Sequence, residues 1–148
     1  MKPRWILLPV ILCAALCVAG CGSLSKASSR REAIAKLTQA KDGALGCIMY
    51  ADDHGGQYPA NFSDIAGYFK DNTNHVTNLI AGFDLVYTGA TTNIVKPADT
   101  IVIREKQPWK KTGTAWLKAY AFADGHAEIH AARDGNFEAW ENERIVKP

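Results

Sequence analysis

An uncharged apolar run, Ile6 to Gly20, sits behind Met1-Lys2-Pro3-Arg4-Trp5 and stops at Cys21. This constrains the chain more than any other feature, because it decides which residues are left to fold. The run is shorter than the roughly 20 residues a membrane span needs. A basic start, an apolar stretch and small residues before a boundary are the parts of an export signal. Val18-Ala19-Gly20-Cys21 fits a lipobox, with an aliphatic residue and two small ones ahead of a cysteine. Small residues admit a peptidase to the bond, and the Cys21 thiol takes the lipid. Residues 1–20 are therefore expected to be a lipoprotein signal peptide, and residues 21–29 a lipidated tether. A globular domain over residues 30–148 is expected to follow. Gly22 stands directly after Cys21. With no Asp there, a Gram-negative host would be expected to pass the protein to its outer membrane, facing the periplasm.

Removing residues 1–20 removes Lys2 and Arg4, which takes Lys plus Arg from 17 to 15, equal to the 15 Asp plus Glu. A neutral domain without a basic stripe gives no reason to expect nucleic acid as a partner. Cys13, Cys17 and Cys21 belong to the export segment, so Cys47 alone remains in the folded part. No intramolecular disulfide is then possible, and a free cysteine of this kind is expected to be buried.

Along the rest of the chain, Gly22 to Ser29 is small and polar, the composition of a flexible linker. Ser29 and Glu32 fit a capping box for a helix starting near Arg30. Ile34, Leu37, Leu45 and Ile48 recur at helical spacing and form its expected apolar stripe, with Ala33, Ala40, Gly43 and Cys47 opposite. The helix is expected to stop at Asp52-Asp53-His54-Gly55-Gly56. A short helix is expected from Asn61 to Tyr68, with Phe62, Ile65 and Phe69 as its apolar face, then a polar connector over 71–77. Strand-like runs follow at 83–87, 100–104, 116–123 and 126–131. Asp124-Gly125 between two alternating runs predicts a two-residue hairpin turn, which pairs Phe122 with Ala127 and Tyr120 with Ile129. Residues 137–145 suit a terminal helix packing Trp140. The expected fold class is α+β, a long N-terminal helix packed on a three- or four-stranded antiparallel sheet. The expected core is Ile34, Leu37, Leu45, Ile48, Phe62, Ile65, Val86, Ile101, Ile103, Tyr120, Phe122 and Ile129.

Two short motifs carry a family resemblance. The segment Cys47-Ile48-Met49-Tyr50-Ala51-Asp52-Asp53-His54-Gly55-Gly56-Gln57-Tyr58-Pro59 resembles pseudopilin-like proteins of Verrucomicrobia and Planctomycetes, relatives of the type II secretion major pseudopilin. Ala121-Phe122-Ala123-Asp124-Gly125-His126-Ala127-Glu128 is similar to their C-terminal hairpin. Many of those proteins carry a His ten residues before the hairpin Asp, where this chain has Thr114. A pseudopilin also begins with a prepilin peptidase site and a long apolar helix, where this chain has a lipobox and a charged, amphipathic helix. The resemblance implies a pilin-like domain moved onto a lipid anchor. It implies a non-enzymatic role in the cell envelope, accessory to secretion or pilus assembly, with other envelope proteins as partners.

His126, Glu128 and His130 alternate along one strand and share a face, so they are the candidate metal or ligand residues. They define the second reading of function, a periplasmic ligand- or metal-binding module on the last hairpin. His126 and His130 lie about 13 Å apart on an extended strand, too far to share one ion without a bend. No metal or other cofactor is therefore expected. Asp52, Asp53 and His54 supply two carboxylates without calcium-loop spacing, which suits a polar helix end. The chain has no Gly-x-Ser-x-Gly elbow, phosphate loop or His-Glu-x-x-His helix, so no enzyme is expected. Trp109, Trp116, Tyr120 and Phe122 are expected mostly to pack between sheet and helix.

Overall fold

The computed structural model describes residues 21–69, 73–110 and 115–147, with the side chains of 21–26 and 73 outside that description. The signal segment 1–20 and Thr114 lie outside the described residues. Helix α1 (Cys21–Asp53) contains alanines at positions 27, 33, 35, 40, 44 and 51 and no proline, so nothing interrupts its hydrogen bonding. Among the described residues it is already helical at Cys21, nine residues before Arg30, near which the sequence signals place its start. The 21–29 segment, whose composition suggests a flexible linker, is helical, and Ser29 lies inside the helix where it cannot cap it.

The buried face of α1 also differs from expectation. Ala40, Ala44, Cys47 and Ala51 are buried, while Ile34 (53%), Leu45 (42%) and Met49 (49%) stand exposed. Leu37 and Ile48 are half-buried. The reason is a close approach. A Cβ at Gly43 would lie 2.9 Å from both Ile103 Cδ1 and Leu79 Cδ2. The sheet and α2 supply the bulk of the core here, and α1 supplies the space for it.

After α1, Asn61 opens a 3₁₀ helix (Phe62–Tyr68). Its side chain accepts from Ser63 N–H at 2.9 Å, and Asp64 accepts from Asn61 N–H at 3.0 Å. The short helix itself and its buried Phe62 and Ile65 are as the sequence predicts, and the reciprocal box fixes where it starts. The described part of the expected polar connector is instead helical: α2 spans Thr73–Gly82. Val76 and Leu79 bury it against α1, a tertiary reward its Thr- and Asn-rich sequence does not advertise.

The sheet is antiparallel: β1 (Phe83–Leu85), β2 (Ile101–Glu105), β3 (Trp109–Lys110), β4 (Trp116–Phe122) and β5 (Ala127–Ala132). β5 pairs with β4 along Trp116 to Ala121, so β2 and β3 share the other edge of β4, and β1 lies outside β2. Strand β3 was not foreseen. The architecture is α+β, a long helix on an antiparallel sheet.

The last hairpin has one more turn residue than expected. Gly125 N–H donates to Phe122 C=O, and Phe122 N–H donates to His126 C=O, both at 2.9 Å. Gly125 has φ +88°, so Ala123-Asp124-Gly125 forms a three-residue turn with its third position left-handed. The pairs become Ala121 with Ala127, Tyr120 with Glu128 and Ala119 with Ile129. One extra residue exchanges the faces of β5 relative to β4. Ala119, Ala121, Ala127 and Ile129 pack in the core beneath α1. Tyr120 and Phe122 belong to a second cluster on the opposite face, with Ile101, Ala132 and Phe137 buried and Trp140 packed against them. The expected terminal helix is short: α3 spans Glu138–Asn142. Of the remaining expected core residues, Ile101 and Ile103 are fully buried, and Val86 and Ile129 half-buried.

Candidate functional site

The corrected register gathers the chemistry-bearing residues on the sheet face away from α1. In β4, Trp116, Lys118, Tyr120 and Phe122 point to that face, opposite Ala132, His130, Glu128 and His126. Helix α3 crosses this face and lays Phe137, Trp140 and Glu141 on it.

Glu141 is buried yet charged, and its partners explain why. Its Oε1 accepts from Lys118 Nζ at 2.8 Å and from Tyr120 O–H at 2.7 Å. Its Oε2 accepts from Arg104 at 2.8 Å. Burial alone would push the carboxyl up, but these donors outweigh it and hold Glu141 below the usual carboxylate range. Burial, then the bond to Glu141, pushes the Tyr120 hydroxyl far above its ordinary value. Lys118 also lies 5.6 Å from the Phe137 ring centre. Asp84 stands 3.4 Å from Arg104 and gives it a second carboxylate. The charges compensate one another, the arrangement of a structural network tying α3 to β2 and β4.

A second buried carboxylate, Glu105, performs a similar task on the opposite face of the sheet, toward α1. It accepts from Trp109 Nε1 at 3.0 Å and Ala119 N–H at 2.9 Å, and it pairs with Lys36 of α1. Lys36 also sits 5.1 Å over the Trp109 ring. None of Glu141, Lys118, Arg104 and Glu105 is picked out by the sequence motifs. The signal was present for Lys118, which alternates with Trp116, Tyr120 and Phe122 along one strand face.

His126, Glu128 and His130 share the face but do not converge on one point. His126 stacks on Phe122 with ring centres 4.2 Å apart, and its Nδ1 lies 2.6 Å from Asp124 Oδ1. Burial would push Asp124 up, but the hydrogen bonds from the His126 backbone and ring hold it below its usual range. His130 stacks on Trp140 at 4.1 Å, and Arg144 lies 4.4 Å over that indole. Burial lowers the His130 pKa, Glu128 opposes the shift and Arg144 adds to it. Among the described residues no group of three or more His, Cys, Asp or Glu is placed to hold a metal ion.

The remaining candidates are also accounted for by packing. Asp53 accepts from Tyr68 O–H at 2.8 Å, and His54 stacks on Tyr50 at 3.8 Å. Cys47 is fully buried and unpaired, and burial pushes its thiol up to about 12. Trp109 and Trp116 are half-buried beside Lys36 and Lys110, while Tyr120 and Phe122 are buried, so the four form no common exposed patch.

Among the described residues no helix is long and apolar enough to cross a membrane. No family model, curated protein or solved structure matches this chain.

Proposed function

We propose that the chain is a lipid-anchored, pseudopilin-like envelope protein that acts by binding other proteins and carries out no reaction. Cys21 takes the lipid, and the partners are envelope proteins accessory to secretion or pilus assembly. The observation that carries this reading is the placement of α1 relative to Cys21. The helix is continuous from Cys21, and no residue from Ala27 to Gln39 is buried. At 1.5 Å per residue, the stretch from Cys21 to Lys36, which pairs with Glu105 of the sheet, spans about 22 Å. A helical stalk of that length would hold the sheet clear of a bilayer. Along the exposed surface of α1, Ile34, Leu45 and Met49 offer apolar contacts amid charge, a suitable surface for another protein.

The test is metabolic labelling with a fatty-acid probe, followed by in-cell crosslinking of the full chain and of Cys21→Ser. The expected result is acyl label on the native chain alone. Crosslinks to secretion or pilus-assembly proteins should also be lost in the variant. A native chain that takes no label overturns the anchor, and labelled protein whose crosslinks survive Cys21→Ser unchanged overturns the link between anchor and partner.

A further inference from the structure

The two edges of the sheet differ. Strand β1 is three residues long and carries Asp84, features that discourage a neighbour. Strand β5 runs six residues, Ala-Glu-Ile-His-Ala-Ala, with an unbroken register to β4. It contains no proline and no lysine, and among the described residues it pairs with β4 alone. Its free row follows from the turn. Phe122 N–H donates to His126 C=O, so the even-numbered residues of β5 direct their backbone groups toward β4. Ala127, Ile129 and Ala131 then direct theirs outward. No backbone partner is recorded for these three among the described residues.

That row is complementary to itself. A two-fold axis through Ile129 sets Ile129 opposite Ile129 of a second copy and Ala127 opposite Ala131. All three residues would then lie in hydrogen-bonded pairs, the only alignment class that satisfies both edges. The same axis sets Glu128 opposite His130 in each direction, so acid meets imidazole twice. On the helix side, Ala127 and Ile129 keep partial exposure and Ala131 is exposed, a small apolar row that would meet its own copy. We propose that the protein self-associates through the free edge of β5, two copies pairing antiparallel about Ile129 with Glu128 of each against His130 of the other. The contact extends the sheet across the axis. Strand pairing alone buries less than the roughly 1,200 Å² of the smallest stable interfaces, so the association belongs to the weak, reversible class.

Cysteine pairing tests the register directly. In the full chain with Cys13, Cys17 and Cys21 changed to serine, Glu128→Cys and His130→Cys are made separately, then mixed and mildly oxidised at about 100 µM, a concentration suited to weak pairing. Directly opposed residues that are not hydrogen-bonded have Cα atoms about 4.5 Å apart, within disulfide reach. Positions offset by two are about 7–8 Å apart and cannot be bridged. The mixture should therefore form a disulfide-linked dimer, and neither variant alone should. His130→Cys gives up the stack on Trp140, so Ala127→Cys mixed with Ala131→Cys is the second pair, on the opposite face. Cys47, buried and poorly ionised, stays out of the reaction. Dimers confined to the mixtures support the proposal. No dimer in either mixture, or equal dimer in the single-variant samples, overturns it. Because Cys21 is serine throughout, failure here is separate from failure of the lipid-anchor reading.

Discussion

Glu141→Gln tests whether the charge beneath α3 matters, because it keeps the side chain's shape and deletes only the charge. The variant leaves Lys118, whose side chain is 10% exposed, without its carboxylate. Removing one partner of a buried pair costs about 3–5 kcal/mol, because the other charge stays buried and uncompensated. Arg104 softens the loss, being more exposed and having Asp84 at 3.4 Å. Tyr120 can still donate to the amide oxygen. The lower end, about 3 kcal/mol, is therefore expected, which for a domain of this size lowers Tm by on the order of 10 °C. The assay is urea and thermal unfolding at pH 7 and again near pH 3. The sign follows from the depressed Glu141 pKa. The stabilisation is present above the ordinary carboxylate value of about 4.3 and disappears as pH falls through the folded-state value. Wild type and variant should therefore converge in acid. A double variant, Glu141→Leu with Lys118→Met, removes both charges together and should recover much of the loss. A Glu141→Gln penalty under about 1 kcal/mol at pH 7 would refute the account of the network, as would a gap that persists unchanged in acid.

Three further expectations follow from the packing. Ala44→Leu adds bulk to the buried face of α1 and should destabilise by about 1–3 kcal/mol, whereas Ile34→Ser on the exposed side should stay within about 0.5 kcal/mol, both read by urea unfolding. The depressed pKa of His130 means the unfolded chain takes the proton first. Stability should therefore fall as pH drops below about 6.5, and His130→Phe, which keeps a ring on Trp140, should flatten that slope in pH-dependent melts. With every other cysteine changed to serine, Cys47 should react with a thiol reagent only as fast as the protein opens, and adding urea should accelerate the reaction steeply.

Where the determining forces are local, the sequence alone determined the result. The short helix after Asn61 depends on its neighbours, its cap by Asn61 and Asp64 included, and it forms where the sequence places it. The strands β2, β4 and β5 announce themselves as strand-like runs, and Asp124-Gly125 marks the hairpin between the last two. The isolation and burial of Cys47 follow from counting. What the tertiary structure decided is which surface of each element meets another. Helical periodicity identifies stripes on α1 but not the one that buries. Ile34 and Leu45 lost to Ala40, Ala44 and Cys47 because Ile103 and Leu79 come close enough that only small residues fit beneath them. The hairpin motif leaves open a two- or three-residue turn, and Gly125 at positive φ chose three. That one residue moved Tyr120 and Phe122 away from α1, onto the face that His126, Glu128 and His130 share. Helix α2 and the buried Glu141 were illegible for the same reason. Val76 and Leu79 lie far in sequence from the α1 residues they bury against, and Arg104, Lys118 and Tyr120 lie far from Glu141, so the burial and the hydrogen bonding exist only after the chain has brought them together.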